Sequence, residues 1–215
     1  MTVAIWLGGA VPARSVRWLD GAVAASAILP DPIAVAAGPS TWLDLAADRA
    51  NRAGIASVGV PIDMQLDYLG WAQVVAAIVK HLAADIVVVD EASRPGRFAE
   101  TAAIAELLEA AQLSHVTALA TDRTTLHATS IVGGQRREVR IAGRAVIGVR
   151  IAGAWIDEYP TPTPSATMKR LDVGSLGLDP VTLGHRAMPP RASQEPTRSL
   201  ERVAEQLAAH LRSRV

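Results

Sequence analysis

Residues 85–101 read DIVVVDEASRPGRFAET. The run Asp85–Val89 is apolar after its first residue and does not alternate. That is the pattern of a strand covered on both faces of a parallel sheet, not of one facing water. A polar turn with Pro95 and Gly96 follows it, and then a helical spacing over Phe98–Ala111 that puts Ile104, Leu107 and Leu108 on one face. A strand that passes through a short turn into a helix is half of a βαβ unit, so the same sequence of elements is sought on either side.

Upstream it repeats. Thr2–Leu7 is a short strand closed by Gly8-Gly9. Asp20–Leu29 is an Ala-rich segment with helical character, stopped by Pro30 and Pro32. Ile33–Ala37 is a strand, and Ser40 or Thr41 is expected to cap a helix from Trp42 to Arg52. Gly54 ends that helix, Ile55–Val60 is the next strand, and Leu69–Leu82 is the next helix. Strands alternating with helices predict an α/β fold with a doubly wound, mainly parallel sheet.

Downstream the rhythm changes. Val116–Ala120, Thr125–Val132, Glu138–Ile141 and Ala145–Ile151 are short strands joined by turns, and Gly133-Gly134 marks a hairpin. Residues 157–198 are irregular and hold more than half of the thirteen prolines. Ser199–Arg212 then places Leu200, Val203, Leu207 and Leu211 on one face of an amphipathic helix. The expected organisation is an α/β nucleotide-binding-like domain with a β-rich section over residues 1–156. Residues 157–215 then hold a partner-recognition turn, an extended arm and a C-terminal helix.

The bulk numbers narrow the chemistry. Of the 215 residues half are apolar, and Lys+Arg and Asp+Glu are both 21, so the formal charge is zero. That balance argues against nucleic acid as the main partner. With no cysteine there is no disulfide, thiolate catalysis or cysteine metal site. The five histidines stand far apart, without metal-ligand spacing. No apolar run reaches the roughly 18 residues of a membrane span, and the N-terminus lacks the charged start of a signal peptide. A cytoplasmic location is the expectation.

Catalytic signatures are missing: the sequence has no GxSxG, GxxxxGK[ST], HExxH or GxGxxG. No catalytic residue and no metal ligand is therefore assigned. Two features at the end of the Asp85–Val89 strand remain. Asp90-Glu91 offers a pair of carboxylates where doubly wound sheets bind ligands. The loop Ser93–Thr101 leads into a helix N-terminus, which favours an anion, and Arg94, Gly96 and Arg97 add charge and close approach. Against that, Glu100 stands in the first helical turn and would repel a phosphate placed beside it.

The order of these segments resembles the β subunit of electron transfer flavoproteins. The helix AIAELLEAAQLSHVT (103–117), the hairpin at Gly133-Gly134, RAVIGVRI (144–151), DEYP (157–160), PSATMKR (164–170), SLG (175–177) and MPPRA (188–192) follow the family's order, as does AVAAGPSTWLDLAADRANRAG (34–54) in the first half. The resemblance covers nearly the whole chain. It implies a fold like that of the adenine-nucleotide α-hydrolases and pairing with an α subunit that holds most of an FAD. It also implies an electron carrier rather than an enzyme, serving a dehydrogenase on one side and reaching a membrane only indirectly, through a quinone reductase. It further implies an AMP, or the adenylate of a second FAD, in the β subunit. On that pattern Ala4, Ala37, Gly38, Asp90, Arg94, Gly96, Arg97, Phe98 and Thr101 would line the nucleotide, Val11 would face the flavin, and Pro162, Pro164, Met168 and Lys169 would dock the dehydrogenase.

The sequence also departs from that pattern. Trp6 stands where the family has a lysine in its VAVKxVPD-like opening, and WLDGAVAASAI (18–28) is unlike the family's nucleotide-contacting segment. The glutamine and glycine of the phosphate loop fall on Ala99 and Thr101, which leaves the AMP bound differently, replaced or absent. No Leu, Ile or Met lies between Tyr159 and Met168, where the family carries an aliphatic anchor for its dehydrogenase. Two other readings stay open at this point: a stand-alone adenine-nucleotide-binding protein of universal-stress-protein type, and a hydrolase using Asp90 and Glu91.

Overall fold

A computed structural model of the protein describes residues 1–9, 29–91, 97–122, 125–150 and 167–188; the side chains of residues 9, 97 and 98 are left out of the description. The Asp20–Leu29 helix, Val11, Arg94, Gly96, Pro162, Pro164 and the Ser199–Arg212 helix fall outside the described residues, apart from Leu29 itself.

Nine strands form one sheet among the described residues. They are β1 (Val3–Gly9), β2 (Pro32–Gly38), β3 (Ala56–Pro61), β4 (Ile86–Asp90), β5 (Ala111–Asp122), β6 (Thr125–Val132), β7 (Gln135–Ile141), β8 (Ala145–Val149) and β9 (Lys169–Arg170). Four α-helices accompany them: α1 (Ser40–Arg52), α2 (Tyr68–His81), α3 (Arg97–Leu107) and the short α4 (Pro180–Gly184). The strand order is β7-β6-β5-β8-β4-β1-β2-β3-β9. All pairings are parallel except β5 with β6 and β6 with β7. The chain builds β1, β2 and β3 outward, then returns to place β4 on the other side of β1, so β1 lies at the switch point of a doubly wound sheet.

Strand alternation sorts the core into two layers. Val3, Ile5 and Leu7 of β1 pack with Ala34, Ala36, Ile86, Val88, Ile147 and the α1 residues Trp42, Leu43, Ala46 and Ala50 on one face. Ala4 and Trp6 pack with Val35, Ala37, Val87, Val89, Val146, Trp71, Val75, Ile78, Ile104 and Leu108 on the other, under α2 and α3. The central β4 and β8 are buried throughout, as their unbroken apolar runs require.

Helix ends account for most differences from the sequence reading. The N-cap of α1 is Pro39, whose carbonyl accepts from Trp42 and Leu43 N–H at 2.9 and 3.0 Å, with no side-chain cap. Ser40 therefore lies inside the helix instead of capping it. At the other end α3 stops at Leu107, not Ala111, because Glu109 takes φ 50° and Ala110 N–H reaches back to Ala105 O at 2.9 Å. That is the closing bond of a Schellman-type turn. β5 then begins at Ala111, five residues ahead of the strand start read at Val116. The Gly133-Gly134 hairpin is present, with φ of 58° and 77°, the two positive values of a type I′ turn.

The irregular tail carries an unforeseen edge strand. β9 pairs with β3 through Val58–Lys169 and Gly59–Arg170, and Leu171 N–H donates to Gly59 O at 2.8 Å. Arg170 reaches α1, donating to Asp44 Oδ1 at 2.8 Å and Ser40 Oγ at 3.1 Å. Met168 lies over Gly59, where a Cβ would collide with its Sδ and crowd Leu43. Gly59→Ala is expected to lower stability by about 1–3 kcal/mol through overpacking. Urea denaturation checks it, and the loss should shrink when Met168→Ala is added.

Candidate functional site

Ligands of doubly wound sheets bind outside the carboxyl ends of the strands at the switch point. Here that edge is formed by the ends of β1, β2, β4 and β8 and the N-terminus of α3. Of the residues expected to line a nucleotide, Ala4, Ala37, Asp90 and Thr101 are buried, and Gly38 ends β2 with φ 147°. Ala4 and Ala37 belong to the α2/α3 layer of the core. Arg97 opens α3 with Phe98. Ala37, Gly38, Asp90 and the start of α3 thus stand at that edge, whereas Ala4, paired with Ile33 and Val87, lies near the opposite end of β1.

What the sequence did not single out as a site is more informative. Glu100, in the first turn of α3, is 6% exposed, and its Oε1 accepts from the indole Nε1 of Trp6 at 2.5 Å. The bond runs from the first turn of α3 to β1 and joins the two. The Trp6 ring lies 6.4 Å from that of Trp71 at 46°, a tilted pair of the favoured kind. Trp71 Nε1 is buried with no hydrogen-bond partner among the described residues. On the opposite face Trp42 Nε1 donates to Gly8 O at 3.2 Å, fixing the end of β1 against α1.

Glu91 is a second buried carboxylate, 5% exposed. Its N–H donates to Val149 O at 2.9 Å, which holds the chain just past the end of β4. Its side chain lies on Gly148, with the carboxylate where a Cβ would stand. Gly148 alternates with Ile147 and Val149, which face α1, so Glu91 occupies the α3-covered face. Oε2 accepts from His115 N–H at 3.0 Å. That donor is freed by a bulge: β5 slips register against β8 between Leu113 and Val116, and His115 takes φ 57°. Oε1 is buried with no hydrogen-bond partner among the described residues.

Asp90 follows Val88 onto the α1 face, while Glu91 lies on the other. The two carboxylates suggested by the sequence as a catalytic pair are thus on opposite sides of the sheet, which removes the hydrolase reading. No group of three or more His, Asp or Glu among the described residues could hold a metal ion.

The expected docking residues divide. Met168 is half-buried against the core at Gly59 and Leu43, whereas Lys169 is exposed on the sheet edge. A groove of about 540 Å³ lined by Gln73, Lys80, His81, Leu107, Leu176 and Thr182 lies elsewhere. It sits at the helix ends that lead into strand N-termini, away from the switch-point edge. Asp179 beside it caps α4, and its carboxyl is held below the usual carboxylate range by the Thr182 hydroxyl and the Val181 N–H.

Gly148→Ala should expel the Glu91 carboxylate and break its bond to His115. A loss of about 1–3 kcal/mol is expected in urea denaturation, and a smaller loss when the change is made in Glu91→Ala, the mark of a direct coupling. Compared with known families, the chain matches the family model described as the electron transfer flavoprotein domain over residues 21–173. No curated protein matches it.

Proposed function

The chain belongs to the electron transfer flavoprotein domain family, and from that premise we propose that it is the β subunit of a heterodimer whose FAD is held mainly by an α subunit. The family is one of flavin-associated electron carriers rather than enzymes. The observation that carries the subunit reading is the order of elements after α3. An antiparallel β5-β6-β7 section, the central β8, and then the Met168-Lys169-Arg170 turn docked on β3 follow the order of the β-subunit resemblance. A stand-alone nucleotide-binding protein has no use for that order.

On this reading the chain moves electrons without making bonds. The flavin, when bound in the pair, accepts electrons from a dehydrogenase and passes them on. This chain's part is to position: β1 and α1 hold one wall of the interface through Trp42 and Gly8, and β9 holds the turn that meets the dehydrogenase. Because Met168 packs inward, contact with that dehydrogenase falls to Lys169 and to the Pro160–Pro164 segment before it. Docking through prolines loses little entropy on ordering. The protein works in the cytoplasm. No helix of the described residues is long and apolar enough to cross a membrane, and any membrane contact of the electron path is made by a quinone reductase.

The apolar positions Leu200, Val203, Leu207 and Leu211, whose spacing in the sequence is helical, are the proposed contact with the α subunit. Co-expression with an α-type subunit is expected to yield a yellow heterodimer by size-exclusion chromatography, and removal of Ser199–Val215 to abolish co-purification. A truncated chain that pairs at full strength would refute the docking role. A colourless monomer that ignores the α-type subunit would refute the subunit assignment.

A further inference from the structure

We infer that β7 docks an extended acidic segment of a partner protein, which adds to the sheet as a further strand. β7 ends the strand order and pairs with β6 alone among the described residues. Its register runs unbroken from Gln135 to Ile141, without a bulge or a proline, so it lacks two of the devices that keep a sheet edge from pairing. It is also uncovered: the side chains of Arg136 and Glu138 are 69% and 73% exposed. In a two-residue hairpin the residues flanking the turn exchange both backbone bonds, and bonded and non-bonded pairs alternate from there. Gln135, Arg137, Val139 and Ile141 are then the residues bonded to β6. Arg136, Glu138 and Arg140 turn their N–H and C=O outward, where an added strand would meet them.

The remaining guard of this edge is charge, and that charge selects the occupant. β7 carries Arg136, Arg137 and Arg140 against Glu138 alone. Glu138 is taken by Arg136 at 2.9 Å. Arg140 donates to the neutral Thr125 hydroxyl at 3.4 Å, and Arg137 is exposed with no ion pair among the described residues. A second copy of the chain would bring the same excess of arginine to the seam, whereas an acidic segment neutralises it. Alternation fixes the pattern such a segment needs. Carboxylates at every second position meet Arg136 and Arg140, on the face that also exposes Ile131 opposite Arg136. The residues between them lie on the face of Arg137 and the half-buried Val139, which packs against the core.

This inference rests on the sheet order and not on the subunit assignment. The full-length chain is titrated into a fluorescein-labelled peptide of alternating Glu and Val, 7 residues long like β7, and followed by anisotropy. Saturable binding that weakens as salt is raised is expected, with no binding of the corresponding Lys-Val peptide. Arg137→Glu together with Arg140→Glu should weaken it by about tenfold, as cross-strand attraction turns to repulsion. Position 138 separates strand addition from charge alone. Glu138→Ala removes a carboxylate and should tighten binding. Glu138→Pro removes the same carboxylate together with an outward N–H, at an edge position where proline is tolerated, and binding should be lost. The same loss is expected with the unaltered chain when the peptide is N-methylated on the amides that face β7. No saturable binding, or equal binding of the methylated peptide, would overturn the inference. So would a dimer of the chain on size-exclusion chromatography that Glu138→Pro dissociates.

Discussion

A buried carboxylate must have a partner, and the bond between Glu100 and the Trp6 indole sets how the start of α3 meets the central strand. An ionised group removed from water costs several kcal/mol unless it is paired or hydrogen-bonded. Trp6 meets that demand from β1, at the centre of the sheet, and in doing so ties the start of α3 to the strand on which every other element is hung. Trp71 backs the indole from α2. Among the described residues, α2 and α3 are thus joined to β1 at one side chain.

Away from that bond, two further places are fixed among the described residues: the end of β1, held by Trp42, and the segment anchored by β9. The anchors of that segment are short and local. Gly59 lets Met168 lie flat on the sheet, and Arg170 clamps to Asp44 and Ser40 on α1. Exposed ion pairs of this kind add little stability. Here they fix where the turn starts, while the core contact of Met168 supplies the affinity for the sheet edge.

The fold was legible because parallel strands covered on both faces leave unbroken apolar runs, as in Ile86–Val89, with helical spacing between them. The element ends were not. Three helices close with a left-handed residue and a long return bond, at Gly54, Ala83 and Glu109. Only the first has the glycine that signals such a turn, so the sequence predicts α3 too long and β5 too short. β9 is two residues of Lys and Arg paired on one side, which carries no periodicity at all. At the site, Glu100 is legible as a charge that opposes phosphate, but its partner is not. A tryptophan in a β1 run reads as core, and nothing in sequence spacing joins residue 6 to residue 100. In the sequence Glu91 stands beside Asp90, and only alternation across the sheet parts them.

Flavin fluorescence tests the central claim, that this chain shapes a redox site it does not itself hold. FAD is titrated with the isolated chain, and separately with the chain and its α-type partner together. The account predicts unchanged fluorescence with the isolated chain and quenching to an end point of one flavin per pair with both. Saturable quenching by the isolated chain would contradict it.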